Sequence, residues 1–334
     1  MALWILYAAI GRADAVEIVS KWSTAKAVRY HAESRIETPK SYPWTAYTNL
    51  EAYADVTDVA LDMTCDGAPT KKQVVVKCHL DKATIAGTAS RKQEQEQLDK
   101  ILREWSEHLT GADVMLTVGT DGGVSLFDLE GLERSNAREG EVIEQQRQLL
   151  RRVFAPFDIA VPKTGAAEPK VAWKHKGAPL QMGLLTSTET GVGGAASMTH
   201  TVDRVDGNDA YIVTDGHSVM GTPENNLQKV DLVAHGQARY NLSEGLIEYS
   251  DLDSNGELTA GSIESQLPFV YRQISWIGRI GPDGAYAALD PKKQAAPAMA
   301  APPVAPEMPP PSTPDVRPSA PPAPSGPTGG TSIP

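Results

Sequence analysis

The residues best suited to chemistry form one run, Asp251-Leu252-Asp253-Ser254-Asn255-Gly256-Glu257-Leu258. It matches the opening of a calcium loop, D-x-[DN]-x-[DN]-G. Asp251, Asp253 and Asn255 would supply side-chain oxygens, Gly256 the sharp turn, and Glu257 a carbonyl oxygen. The position that should hold a bidentate Glu is Ser262, and Glu264 comes two residues late. The same run also suits a plain hairpin, because Asn255-Gly256 favours a type I′ turn. Asp251, Asp253, Asn255 and Glu257 are therefore candidate ligands of a weak Ca2+ site, and no other cofactor is expected.

Nucleophilic chemistry has a weaker trace. Gly216-His217-Ser218-Val219-Met220-Gly221 nearly matches the G-x-S-x-G elbow, but its second Gly is one residue late. An elbow needs a strand-to-helix turn, whereas here a loop at Pro223 and Asn225 is expected. The seven histidines show no H-E-x-x-H and no other ligand spacing. His31 and His79 fall on the polar faces of alternating strands and are expected to be solvated. Gly191-Val192-Gly193-Gly194 lacks the Lys-Ser/Thr of a phosphate loop and is read as a flexible loop. Asn241-Leu242-Ser243 is a glycosylation sequon. No catalytic residue can be assigned.

The chain has two cysteines, Cys65 and Cys78. Val59, Leu61, Met63 and Cys65 share one strand face; Val74, Val76, Cys78 and Leu80 share a face of the next. A turn centred on Lys71-Lys72 sets the cysteines opposite each other and allows a disulfide. A turn at Ala68-Pro69 leaves them roughly 20 Å apart. Gly67-Ala68-Pro69 has the stronger turn composition, and the bridge places Pro69 inside a strand. The bridge is the preferred reading, since it fits an oxidising compartment.

The elements that would carry these residues are mainly strands. Ala27–Glu37 alternates strictly, with Val28, Tyr30, Ala32, Ser34 and Ile36 on one face. Ser90 with Gln93 forms a candidate capping box. It would open a helix with Leu98, Ile101, Leu102, Trp105 and Leu109 inward. A second helix is expected from Ala137 to Phe154, with Val142, Ile143, Leu149, Leu150 and Val153 inward and Arg147, Arg151 and Arg152 on its polar face. Thr120-Asp121-Gly122-Gly123 signals a hairpin between the helices. Beyond the helices, strands are expected at Met198–Val205, Ala210–Thr214, Val230–Leu242, Leu246–Asp251 and Phe269–Ile280. The fold class is α+β: mainly antiparallel sheet, curved or sandwiched, with two amphipathic helices in the N-terminal half.

The ends of the chain carry the address. Met1–Ile10 is unbroken apolar sequence, followed by Ala13-Asp14-Ala15, a small-x-small site. The run is too short to span a bilayer and has the form of a secretory signal peptide, although no Lys or Arg precedes it. From Pro291 to Pro334 there are 15 prolines; such a tail cannot bury enough apolar surface to order itself. The expected organisation is residues 1–15 signal peptide, 16–156 α+β domain, 157–179 linker, 180–286 antiparallel β domain and 287–334 disordered tail. This arrangement resembles that of periplasmic proteins of Gram-negative bacteria. The net charge of −11 disfavours nucleic acid as a partner. No transmembrane helix is expected in the mature chain.

Together these features imply a periplasmic or secreted protein. It would bind an envelope protein or a lipid-like ligand rather than catalyse a reaction, by fold analogy with periplasmic lipid carriers. A secreted hydrolase with an unidentified carboxylate site and a structural assembly subunit are the alternatives.

Overall fold

A computed structural model describes residues 15–22, 26–37, 54–69, 74–89, 91–118, 124–130, 137–159, 162, 165–177, 196–222, 225–260 and 267–291. These all belong to one compact unit, Met1–Pro297. The expected signal peptide up to residue 14, the expected hairpin turn at 120–123, the glycine run 191–194 and the tail beyond Pro291 lie outside the described residues.

Strict alternation makes β2 (Val28–Glu37), and it pairs on both sides. One neighbour is β3 (Ala54–Pro69), which continues into β4 (Val74–Ala89), β5 (Asp113–Val118) and β6 (Val124–Glu130). The other neighbour is the last strand, β13 (Leu267–Arg279). From β13 the sheet runs outward through β12 (Leu246–Ala260), β11 (Asn225–Asn241), β10 (Asp209–Thr222) and β9 (Ala196–Asp206) to β8 (Ala172–Gly177). Among the described residues the result is one open antiparallel sheet of eleven strands, with β6 and β8 as its edges. Of the two arrangements expected, a curved sheet or a sandwich, the described residues form an open sheet, because strands from the N- and C-terminal regions join edge to edge at β2–β13. A small second sheet pairs β1 (Val16–Glu17) with β7 (Ala166–Ala167).

Two helices, α1 (Lys92–Leu109) and α2 (Ala137–Phe154), cover one face of this sheet. Leu102 and Leu109 of α1, and Ile143, Leu149, Leu150 and Val153 of α2, share one continuous core with Tyr30, Leu61, Met63 and Leu80. Phe157, in the 3-10 turn Ala155–Phe157, packs edge-on to Tyr30 with centroids 5.3 Å apart. The Tyr30 hydroxyl donates to the Ile247 carbonyl at 2.9 Å, so its one polar atom is satisfied inside the core. Burial pushes its pKa far upward.

Two expectations for the helices need correction. Ile101 lies exposed, because the buried stripe is centred on Leu98, Leu102, Trp105 and Leu109 and leaves position 101 at its margin. Arg152 is buried at 2% exposure rather than set on a polar face. The N-cap of α1 is Arg91, with no side-chain capping bond; Ser90 is outside the described residues.

Helix α1 also serves as an edge guard. β5 pairs with β4 only over Val74–His79. Beyond that, the backbone N–H groups of Ala83, Ile85 and Ala89 donate to Thr110 Oγ1, Ser106 Oγ and Gln95 Oε1 at 3.1, 3.0 and 2.7 Å. Helix side chains thus take the place of a neighbouring strand and keep that stretch of edge from pairing with another chain.

The cysteine hairpin resolves in favour of the bridge. Cys65 lies directly opposite Cys78 and Pro69 opposite Val74, the register of the bridge; the expected turn residues Lys71-Lys72 lie outside the described residues. The two cysteines are joined as a disulfide and are fully buried in the core. Pro69 sits at the end of its strand, where a missing N–H costs little. The backbone of Trp22 crosses Gly67: an added Cβ would lie 2.2 Å from the Trp22 carbonyl oxygen, so only glycine fits there.

Candidate functional site

The calcium-loop residues are not in a loop. Asp251, Asp253, Asn255 and Glu257 all lie along β12, in continuous register with β11 and β13. A strand spaces alternate residues about 6–7 Å apart, so their oxygens are strung out along a line rather than gathered around a point. Gly256 makes no turn; it pairs with Leu232 and Tyr271. Asp251 is already engaged, accepting from the Gln237 N–H at 2.9 Å and the Tyr249 hydroxyl at 3.0 Å. Burial raises its pKa, and those two hydrogen bonds oppose the rise. Asp253 holds Arg272, with Oδ2 2.6 Å from Nη2. Among the described residues no group of three or more His, Cys, Asp or Glu is placed to hold a metal ion.

Ser218 and its neighbours likewise fall inside β10, paired with β11, where no strand-to-helix turn exists. Asn241, the sequon residue, lies at a turn, where its Oδ1 accepts from the Glu244 N–H and the Ser243 hydroxyl. His79 is exposed beside Asp113 at 2.9 Å, as alternation implies. His200 is fully buried, with Nδ1 2.9 Å from Thr214 Oγ1.

His31 departs furthest from expectation. It occupies the charged face of β2, yet it is only 6% exposed. The cause is a strap formed by residues 280–291, which turns back over the sheet after β13. The Ile280 N–H donates to the Arg29 carbonyl, and the Ala287 N–H to the Arg279 carbonyl, both at 2.8 Å. Pro282-Asp283-Gly284 makes the reversal; Gly284 has φ +81°, and Asp283 Oδ1 accepts from the Ala285 N–H. The strap then lays Tyr286 flat on the His31 ring, with centroids 4.3 Å apart and planes 7° from parallel. It passes so close to Gly278 that a Cβ there would lie 2.7 Å from the Ala287 carbonyl oxygen.

Beneath Tyr286, both ring nitrogens of His31 meet carboxylates. Nδ1 lies 2.6 Å from Asp62 Oδ1 and Nε2 lies 3.0 Å from Glu33 Oε1. Carboxylates only accept, so both nitrogens must donate and the ring is an imidazolium. Burial pulls its pKa down, but the bonds and charges of Glu33 and Asp62 outweigh burial and leave it above the ordinary histidine value. The other oxygen of Glu33 accepts from Trp276 Nε1 at 3.0 Å. The cluster is a charged clamp closed by an aromatic lid.

Beside this clamp, a cavity of about 510 Å3 opens between the strap and the ends of β2, β11, β12 and β13. Much of its wall is small and apolar, including Val28, Ile280, Pro282, Ala285 and Ala287. Its charged lining is Arg29, Arg239, Arg279, Glu248 and Asp283. Arg279 Nη1 donates to Glu244 at 2.5 Å and to Glu248 at 2.8 Å. The two carboxylates hold its pKa above the usual value despite the opposing effect of burial. Arg239 is 9% exposed; among the described residues it reaches only a long 3.5 Å contact with Asp209, and its buried Nε has no partner.

None of these cavity residues could be singled out from sequence, because they come from four strands and a loop far apart in the chain. The available signal was the Pro282-Asp283-Gly284 turn directly after the last strand, which implies that the chain folds back.

No protein-family model matches the chain, and no curated protein sequence matches it.

Among the described residues no helix is long and apolar enough to cross a membrane. The buried disulfide suits an oxidising, non-cytoplasmic compartment.

Proposed function

We propose that this is an exported, non-enzymatic envelope or surface protein that binds an apolar ligand or partner. The cavity beneath the 280–291 strap carries this reading: its volume is in the range of small-molecule sites and much of its wall is aliphatic. The site differs from the one a lipid-carrier analogy suggests. Between the helices and the sheet, the described side chains pack into one core. The ligand is therefore assigned to the strap, at the opposite end of the chain from the export signal.

Export is supported by the sequence of the first fifteen residues and by the disulfide. The first described strand starts at Val16, directly after the expected cleavage site. The full chain, purified from its native host under mild conditions, should begin at Val16 by N-terminal sequencing. It should also take up the fluorescent apolar probe 1-aminoanthracene, and Ala287→Trp, which fills the cavity, should abolish uptake. A purified protein that retains Met1, or probe uptake unchanged by Ala287→Trp, would overturn the corresponding half of the proposal.

A further inference from the structure

We propose that the strap cavity is a carboxylate-binding site for a singly charged anion with an aliphatic body, anchored by Arg239. This rests on the ligand-binding reading above and specifies the ligand's chemistry.

The first support is the state of Arg239. A guanidinium is rarely removed from water without close partners, because burying an incompletely paired charge is costly. Arg239 is about nine-tenths buried in the cavity wall; among the described residues its single ion contact is long, and its Nε has no partner. A guanidinium whose ion contact is this long keeps positive charge to offer an anion in the cavity that it lines.

Arg29 is the second support. It lines the same cavity, and its guanidinium forms no ion pair among the described residues. It stands next to the strap, since the Ile280 N–H donates to the Arg29 carbonyl. Two arginines thus line one cavity with no close ion pair to either among the described residues, which favours an anion there.

The other charges set the limit of one negative charge. Arg279 is already matched by Glu244 and Glu248 and has nothing left to offer. Glu248 and Asp283 also face the cavity and would repel a second negative charge. A dianionic phosphate is disfavoured on this ground. The aliphatic walls supplied by Val28, Ile280, Ala285 and Ala287 then take up the uncharged body.

The test is calorimetric titration of the full chain at neutral pH with sodium octanoate, 1-octanol, octylammonium chloride and inorganic phosphate. Octanoate should bind about 10-fold or more tightly than octanol, the contribution expected of a charge-assisted bond. Arg239→Gln should weaken octanoate about 10-fold or more without changing octanol. Arg29→Gln, an exposed change that does not touch the core, should weaken it by a smaller factor and keeps the proposal testable if Arg239→Gln misfolds. Arg103→Gln on α1 controls for lost net charge and should have no effect. Octanol binding as tightly as octanoate would overturn the carboxylate site while leaving ligand binding in the cavity intact. Octylammonium binding preferentially, phosphate displacing octanoate, or octanoate binding unchanged in both cavity variants would also overturn it. Absence of binding by all four probes would overturn both this proposal and the ligand-binding reading.

Discussion

The two faces of β2 are built from the same ten residues and held in opposite ways. On one face, Val28, Tyr30 and Ala32 join a continuous core with Leu61, Met63 and Phe157, and Ile36 is buried. On the other, His31 is clamped between Glu33 and Asp62 and roofed by Tyr286. The first face is held by burial, which depends little on pH or salt. The second is held by charge-assisted bonds that exist only while the ring carries two protons. Permanent packing and a titratable closure therefore sit back to back on one strand, and the strap that roofs the proposed site belongs to the titratable side.

Truncating the permanent face should have the largest effect. Leu61 is fully buried, so Leu61→Ala removes contacts and leaves a cavity. The expected loss is about 2–5 kcal/mol in urea unfolding, with no change in its pH dependence. A loss below about 1 kcal/mol would mean that this face is not the packed core of the fold.

The titratable face should respond less in magnitude but differently in kind. Because His31 is raised above its ordinary value of about 6.5, its contribution is complete below that value. It is lost as pH rises through the higher folded value. Trp276 fluorescence reports this directly, since its indole donates to Glu33. The signal should change as pH rises above the ordinary histidine range. His31→Gln should abolish that transition and cost about 1–3 kcal/mol, through loss of charge-assisted bonds. An identical fluorescence transition in His31→Gln would assign the titration to another group and remove the contrast between the faces.

The smallest effect sharpens the comparison by showing that charge alone is not enough. Arg35 occupies the same face as His31 and pairs with Asp58 at 2.8 Å, but both side chains are well exposed. Arg35→Gln should change stability by no more than about 0.5 kcal/mol in the same unfolding assay. A loss as large as that of His31→Gln would mean that the strap is not what gives the His31 clamp its strength.

Much of the framework was legible in the residue pattern. The alternation of Val28–Glu37 marked β2, and the apolar stripes marked both helices to within a few residues of their ends. The hairpin partners of Cys65 could be reduced to two registers, and the bridge-forming one is present. Strand lengths were underestimated where turn-forming residues lie inside a ladder. Asn255-Gly256 is the clearest case: a strong turn dipeptide, overruled because β11 and β13 pair with it on both sides. His31 shows the same kind of failure in a side chain. Alternation put it on the polar face correctly, but its burial depends on a segment some 250 residues later, which no local pattern reports.

Local chemistry is what the chain alone could settle: which faces are apolar, which residues start and stop elements, and which cysteine spacing can bridge. Those properties act over a few residues, so they can be seen one segment at a time. The joining of two strand-rich regions into one sheet at β2–β13, the burial of His31 and Arg239, and the cavity under the strap depend on contacts between distant segments. Such contacts are fixed only when the whole chain packs, because many segments with the same local pattern could pair equally well.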